Sequence, residues 1–187
     1  MNSPLDLTNH LLIAMPGMGD PNFAQTVTYV CEHNEKGAMG IVINRLLELN
    51  LGDILDHMGI DCTQSAVRAH PVHLGGPVQV ERGFVLHSPA GGWDSTLNVT
   101  EDIALTTSRD ILQAIAQGAG PSRLLIALGY AGWGAGQLEQ EMKDNAWLST
   151  PAQQAILFDV PVEQRWHAAA GAMGIDLNLL SSEAGHA

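Results

Sequence analysis

The sequence predicts a single mixed α/β domain of the α+β kind, with a mixed, mostly antiparallel sheet. Three observations carry that expectation. Apolar runs of strand length outnumber helical patterns, and the early ones fall in hairpin-like pairs with the helices mainly later. A regular alternation of strand and helix, as a doubly wound sheet requires, is missing. No linker, internal repeat or low-complexity block divides residues 1–187, a length that suits one domain with its own core.

The elements follow in order. His10-Leu-Leu-Ile-Ala-Met15 reads as a short strand, closed by Pro16-Gly17-Met-Gly19-Asp20-Pro21, a loop whose prolines and glycines set its bends. Phe23 to Glu32 reads as a second strand, His33 to Gly37 as a hairpin turn and Met39 to Asn44 as an apolar return strand. Leu51, Ile54, Leu55 and Met58 recur at helical spacing and Gly59 stops that helix, with Asp53 and Asp56 on its solvated side. Val72-His-Leu74, Gly75-Gly76-Pro77 and Gly83-Phe-Val-Leu-His87 spell strand, turn, strand. Short strands at Leu97–Val99 and Ile103–Thr106 precede a helix from Arg109 to Gln117, which Thr107 or Ser108 is placed to cap. Leu124 to Leu128 reads as a buried strand. A glycine-rich turn, Gly129-Tyr-Ala-Gly-Trp-Gly-Ala-Gly136, follows it, and then a helix through Leu138 and Met142. Asn145 to Leu148 and Ala155 to Phe158 suggest two more strands. Pro161 suits the first turn of a last helix that runs through Trp166 to Met173 and ends at Gly174.

Charge narrows the function. Eight Lys and Arg against 20 Asp and Glu give a formal charge of −12, and only Lys36 and Lys143 are lysines. Phosphate backbones and anionic membranes are gripped by clustered cations, which this chain lacks, so neither nucleic acid nor membrane is an expected partner. Leu11 to Met15 is too short for a signal peptide and no stretch approaches a membrane span of about 18 apolar residues. Cys31 lies in a strand pattern as a small hydrophobe, which suits a reducing, cytoplasmic setting; spacing alone leaves a disulfide with Cys62 open.

Strand, glycine-rich turn and helix start are where many α/β proteins hold a ligand. Yet the turn spells G-x-x-G-x-G-x-G, not the dinucleotide fingerprint, and it lacks the lysine of a Walker loop. Its glycines either border a ligand or let strand and helix pack closely around Trp133. His70 and His73 form H-x-x-H without the third and fourth ligands zinc needs, so no metal and no cofactor is expected. No G-x-S-x-G elbow or cysteine motif signals a nucleophile.

Several segments occur in a familiar order: Leu12-Ile-Ala-Met-Pro16, Gly37-Ala-Met-Gly-Ile-Val-Ile-Asn44, Gly75-Gly-Pro77, Gly83-Phe-Val-Leu-His87, Leu128-Gly-Tyr-Ala-Gly-Trp-Gly-Ala-Gly-Gln-Leu138, Asn145-Ala-Trp147 and Leu157-Phe158. Along essentially its whole length the chain resembles the AlgH/YqgE family of bacterial proteins. The resemblance implies a single domain whose sheet curls into a pseudo-barrel with flanking helices. It implies little about activity, because the family is largely uncharacterised. One branch is labelled a transcriptional regulator, and the charge argues that any such regulation is indirect. Leu46-Leu47 departs from the pattern, where a proline is expected after Asn44-Arg45.

The expected function is a cytoplasmic regulatory or interaction protein that binds a small molecule or a protein in a cleft. Met15, Asp20, Asn44, Gly76, Tyr130, Trp133 and Gln137 end apolar strands or sit in Gly/Pro turns, where polar and aromatic groups converge on a ligand. The competing reading is an enzyme of unrecognised type that uses His87, Glu141 or Asp20 as acid or base. The charge argument makes one prediction outright: mobility-shift titration at physiological salt gives no retardation of duplex DNA. Salt-sensitive binding at submicromolar protein would contradict it.

Overall fold

A computed structural model describes residues 5–184. Ten strands, β1 (His10–Ala14), β2 (Val27–Asn34), β3 (Gly37–Val42), β4 (Leu46–Asn50), β5 (Pro71–Leu74), β6 (Val78–Ser88), β7 (Thr96–Asn98), β8 (Ala104–Thr106), β9 (Arg123–Gly134) and β10 (Trp147–Pro151), are joined in one sheet. Its main path runs β10-β1-β2-β3-β9-β6-β8-β7, with β4 and β5 branching from β9. Every pairing is antiparallel except β5 with β9. The sheet curls into a half-barrel flanked by helices: α1 (Leu51–His57), α2 (Ser65–Arg68), α3 (Arg109–Ala116), α4 (Gln137–Lys143), α5 (Arg165–Gly171) and α6 (Leu177–Ala184).

β9 is the spine. Its first half lies between β5 and β6, and its second half pairs with β3, so it belongs to both wings of the sheet. The changeover is at Gly129, whose φ of 78° is open to glycine at little cost. There the Gly75-Gly76 backbone crosses so closely that a Cβ on Gly76 would stand 2.1 Å from the Tyr130 carbonyl carbon. Gly75 N–H donates to Leu128 O and Gly75 O accepts from Val42 N–H, both at 2.8 Å, so this corner ties β9 to the end of β3.

Three apolar clusters follow from strand alternation. The concave face collects Leu11, Tyr29, Ile41, Leu86 and Leu125 under Ile156, Trp166, Ala169 and Leu177. The convex face of one wing packs Val72, Val85 and Ile126 against Leu51 and Leu55 of α1 and Ile111 and Ile115 of α3. That of the other wing packs Leu12, Val30 and Ala131 against Leu138 of α4 and Trp147. α5 is pinned to the concave face by polar bonds as well. Trp166 Nε1–H donates to Ala14 O at 2.9 Å, and buried Arg165 donates to the Val160 and Ile43 carbonyls and faces His73 Nε2 at 3.4 Å.

Several local expectations are corrected by the tertiary structure. The supposed glycine turn after Leu128 is strand: β9 runs on to Gly134, because β3 supplies partners for residues 131–134. Ala155 to Phe158, expected as a strand, is a π-type helical turn, Ala155–Asp159; a four-residue apolar run has no periodicity to tell the two apart. Phe23 precedes β2 instead of opening it, held in a turn whose Asp20 carbonyl accepts from Phe23 and Ala24 N–H. Leu46 opens β4, and α2 and α6 had no sequence signal that stood out. Asp53 and Asp56 are more than a solvated side: Asp53 closes a capping box with Asn50, and Asp56 receives Arg68 at 2.6 Å. Ser108 is the N-cap of α3 but makes no side-chain cap bond, its hydroxyl being donated to Asp110.

Burial, opposed in part by the Nδ1–H bond to Ile126 O, lowers the His73 pKa to about 4. The folded protein therefore keeps His73 neutral while the unfolded chain takes up a proton below the ordinary value of 6.5. Stability is full above that value and falls as pH drops, by about 2 kcal/mol from this group between about pH 7.5 and pH 5. Urea unfolding at the two pH values should show His73→Gln losing less than the parent by roughly that amount; an unchanged difference would mean that His73 does not couple folding to pH.

A groove on the concave face as candidate functional site

The C-terminal elements fill only part of the concave face. The part they leave uncovered is an open groove of about 820 Å3. β3 contributes Met39, β6 contributes Val78, Arg82 and Phe84, β8 contributes Leu105, β9 contributes Tyr130 and Gly132, and β7 with the residue before it contributes Ser95, Thr96 and Leu97. Met39, Phe84, Leu97, Leu105 and Tyr130 are continuous with the inner core, so the groove floor is the exposed end of that core. Phe84 and Tyr130 meet edge to face with centroids 5.8 Å apart. A smaller hollow of about 290 Å3 adjoins it through Ala38, Met39 and Trp133 and reaches Glu32 and Lys36. A separate, more apolar hollow of about 540 Å3 lies between α1, α3 and β6.

Of the seven residues expected to converge, Tyr130 and Trp133 border the groove, but on different terms. Strand geometry sends side chains three positions apart to opposite faces. Tyr130 joins the concave cluster, whereas Trp133 joins the convex one, near Phe23 and Trp147 at 6.2 Å each. Gly76 lies behind Tyr130, against its backbone. Gln137 is on the convex side, where its Oε1 accepts from Gly134 N–H at 2.9 Å and its amide donates to Glu141 at 3.0 Å. Met15 donates its N–H to Ala146 O beside the same convex cluster. Asp20 is exposed and accepts from Asn22 N–H. Asn44 splices the start of β2, accepting from Val27 N–H and donating to Gln25 O. The structure thus places Tyr130 and Trp133 in the groove lining and leaves Met15, Asp20, Asn44, Gly76 and Gln137 outside it.

The candidate acids and bases are held in the scaffold. Glu141 Oε1 accepts from both Trp133 Nε1–H at 3.1 Å and Trp147 Nε1–H at 2.9 Å, and Oε2 accepts from Gln137. One carboxylate thereby clamps α4 to β9 and β10. His87 is fully buried. Its Nδ1 faces Pro89 O at 2.9 Å and must carry the proton, so Nε2 accepts from the Thr106 hydroxyl at 2.7 Å. Burial lowers its pKa, which keeps the ring neutral. His33 is used similarly: Nδ1 accepts from Leu7 N–H and Nε2–H donates to Glu139, which holds that carboxyl below the usual range. Among the described residues no three His, Cys, Asp or Glu side chains gather as a metal site, and no helix is long and apolar enough to cross a membrane. Both cysteines are free thiols.

Sequence reasoning did not single out Arg82, Met39, Leu97, Leu105 or Gly132 as groove residues. A lone arginine before Gly83 carries no local motif, and the pairing that brings β3, β6 and β7 together is long-range. Gly132 alone lay inside the glycine string that had drawn notice.

Comparison with known proteins agrees with this architecture. A family model, AlgH-like, matches residues 11–178. A UPF0301 protein of Thioalkalivibrio sulfidiphilus is 59% identical over 187 residues, covering 100% of both chains. Another from Nitrosococcus oceani is 60% identical over 180 residues, covering 96% of each. The solution structure of the AlgH protein from Pseudomonas aeruginosa superposes with a TM-score of 0.81 at 54% identity, covering 100% of this chain and 99% of that one. A crystal structure of a protein from Corynebacterium diphtheriae, 20% identical with a TM-score of 0.74, shares the fold over 97% of this chain and 94% of its own.

If Glu141 is a clamp, Glu141→Gln should cost about 1–3 kcal/mol in urea unfolding, because the amide offers one acceptor where the carboxylate serves three donors. Tryptophan emission should change with it, since two indoles lose a charged partner. Unchanged stability would argue that the three N–H groups are satisfied otherwise.

Proposed function

The chain belongs to the AlgH-like family, and from that premise we propose that it is a non-enzymatic, cytoplasmic binding protein whose site is the concave groove. Regulation, including any effect on transcription, is then exerted through the groove's occupant or a protein partner and not by contact with DNA. The observation that carries this reading is the groove itself: about 820 Å3, open to solvent, floored by core aromatics and aliphatics, in the size range of small-molecule sites. The C-terminal helices bury the rest of the concave face, and the apolar surface left uncovered is what a ligand would cover.

A binding role is favoured over acid–base chemistry by what the candidate groups already do. His87 is saturated on both ring nitrogens, Glu141 serves three N–H donors, and Asp20 shapes an exposed turn. None of the three lines the groove. General acid–base catalysis requires a group within hydrogen-bond reach of the reacting atoms.

Gly132 offers a clean test. It is an exposed groove residue, its φ is ordinary, and an added Cβ would meet nothing closer than Tyr130 Cε2 at 3.4 Å. Gly132→Leu should therefore fold normally and fill the groove, whereas a side chain at Gly76 would strike the β9 backbone. In a thermal-shift screen against aromatic and aliphatic carboxylates, phosphates and amines, compounds that stabilise the parent should leave Gly132→Leu unmoved. Compounds that stabilise both equally would put the site elsewhere, such as the hollow between α1 and α3. Turnover of a compound would overturn the non-enzymatic reading.

A further inference from the structure

The groove's electrostatics differ from those of the protein around it. The chain carries 20 Asp and Glu, yet none lies among the groove residues. Its one charged residue is Arg82. Five of the six arginines are already engaged: Arg45, Arg109 and Arg165 with backbone carbonyls, Arg68 with Asp56 and Arg123 with Asp159. Arg82 is the one whose guanidinium, among the described residues, meets neither a carboxylate nor a carbonyl of the backbone. It touches only the Gln79 amide oxygen, at 3.4 Å, and stands over the Phe84 ring with its carbon 5.4 Å from the centroid.

That stacking holds the guanidinium where the aromatic floor ends. Its remaining N–H groups are free to take a planar or tetrahedral oxyanion in a two-point grip. The bulge between Val78 and Gly83, with Gln79 at a φ of 49°, is the irregularity that carries Arg82 out of the β6 ladder. Ser95 and Thr107, also in the lining, bring hydroxyls with no side-chain hydrogen bond among the described residues. The adjoining hollow adds Lys36 but also Glu32, so Arg82 sets the sign of the site.

We propose that the groove binds a soluble anionic amphiphile. Its aromatic or aliphatic body lies on Phe84, Tyr130 and Leu105, and its single carboxylate, phosphate or sulfonate group is held by Arg82. The proposal rests on the groove being the binding site and adds the chemical class of its ligand. In a chain of charge −12, an acid-free groove with an uncommitted arginine is the place where an anion is attracted and not repelled.

A pair of fluorescent probes separates the two claims. Anilinonaphthalenesulfonate has an aromatic body with one anion; phenylnaphthylamine has the same body without it. The parent should bind the sulfonate about tenfold more tightly than the neutral probe, the low end for a charge-assisted hydrogen bond at an exposed site. Arg82→Gln should remove that advantage and leave the neutral probe unchanged, Arg82→Lys should restore part of it, and Gly132→Leu should lose both probes. Added salt should weaken only the sulfonate. Arg82 is exposed, so near-ultraviolet circular dichroism should show Arg82→Gln folded like the parent. Equal binding of the two probes, or sulfonate binding indifferent to Arg82→Gln, overturns the anion assignment while the groove reading stands. Failure of the parent to bind either probe, or binding indifferent to Gly132→Leu, overturns both.

Discussion

The fold depends on one close crossing of backbones. At Gly129 the longest strand changes partners from β5 to β3, and Gly75-Gly76 passes over it at a distance no side chain allows. Because β9 belongs to both wings, its kink sets how far the sheet curls, and so the depth of the concave face. The hydrogen bonds of Gly75 to Leu128 and Val42 make the crossing a joint and not a mere contact. Any side chain at Gly76 would push the wings apart, and the groove with them.

What the concave face becomes is decided by how much of it the C-terminus covers. Arg165 and Trp166 spend their polar atoms on carbonyls at the ends of β1 and β3, which fixes α5 over one part of the inner core. Buried arginine without a carboxylate partner is costly unless its N–H groups are satisfied, and here carbonyl oxygens and His73 satisfy them. The other part of the core has no such cover. Its aromatic floor meets solvent next to a guanidinium, in a chain otherwise dominated by carboxylates. Local chemistry and global charge thus point in opposite directions, and that opposition marks the groove.

The titratable residues show why residue type alone is a weak guide to chemistry. Glu141 and His87 are residue types able to act as acid and base. Each instead satisfies donors or acceptors that folding would leave stranded: two indole N–H groups for Glu141, the Pro89 carbonyl and the Thr106 hydroxyl for His87. Asn44 and Asp20 likewise serve backbone groups at loop entrances. Polar side chains at strand ends are recruited by unpaired backbone before any ligand is considered.

Apolar periodicity, caps and ordered motifs are local properties, and they were enough for the mixed, mostly antiparallel sheet, most of its strands, the helices α1, α3, α4 and α5, and the family to which the chain belongs. Local reasoning also located the Gly129–Gly136 string as central, but read it as a turn. Whether glycines extend a strand or break it depends on a partner strand that lies some 90 positions away in sequence, at residues 37–40. The same is true of Trp133, whose side chain alternation along β9 sends into the convex cluster, so that it only borders the groove. Which apolar residues are covered, which arginine among the described residues meets no carboxylate or backbone carbonyl, and where the two coincide were set by long-range packing, since burial and charge pairing are sums over contacts that the order of residues does not contain.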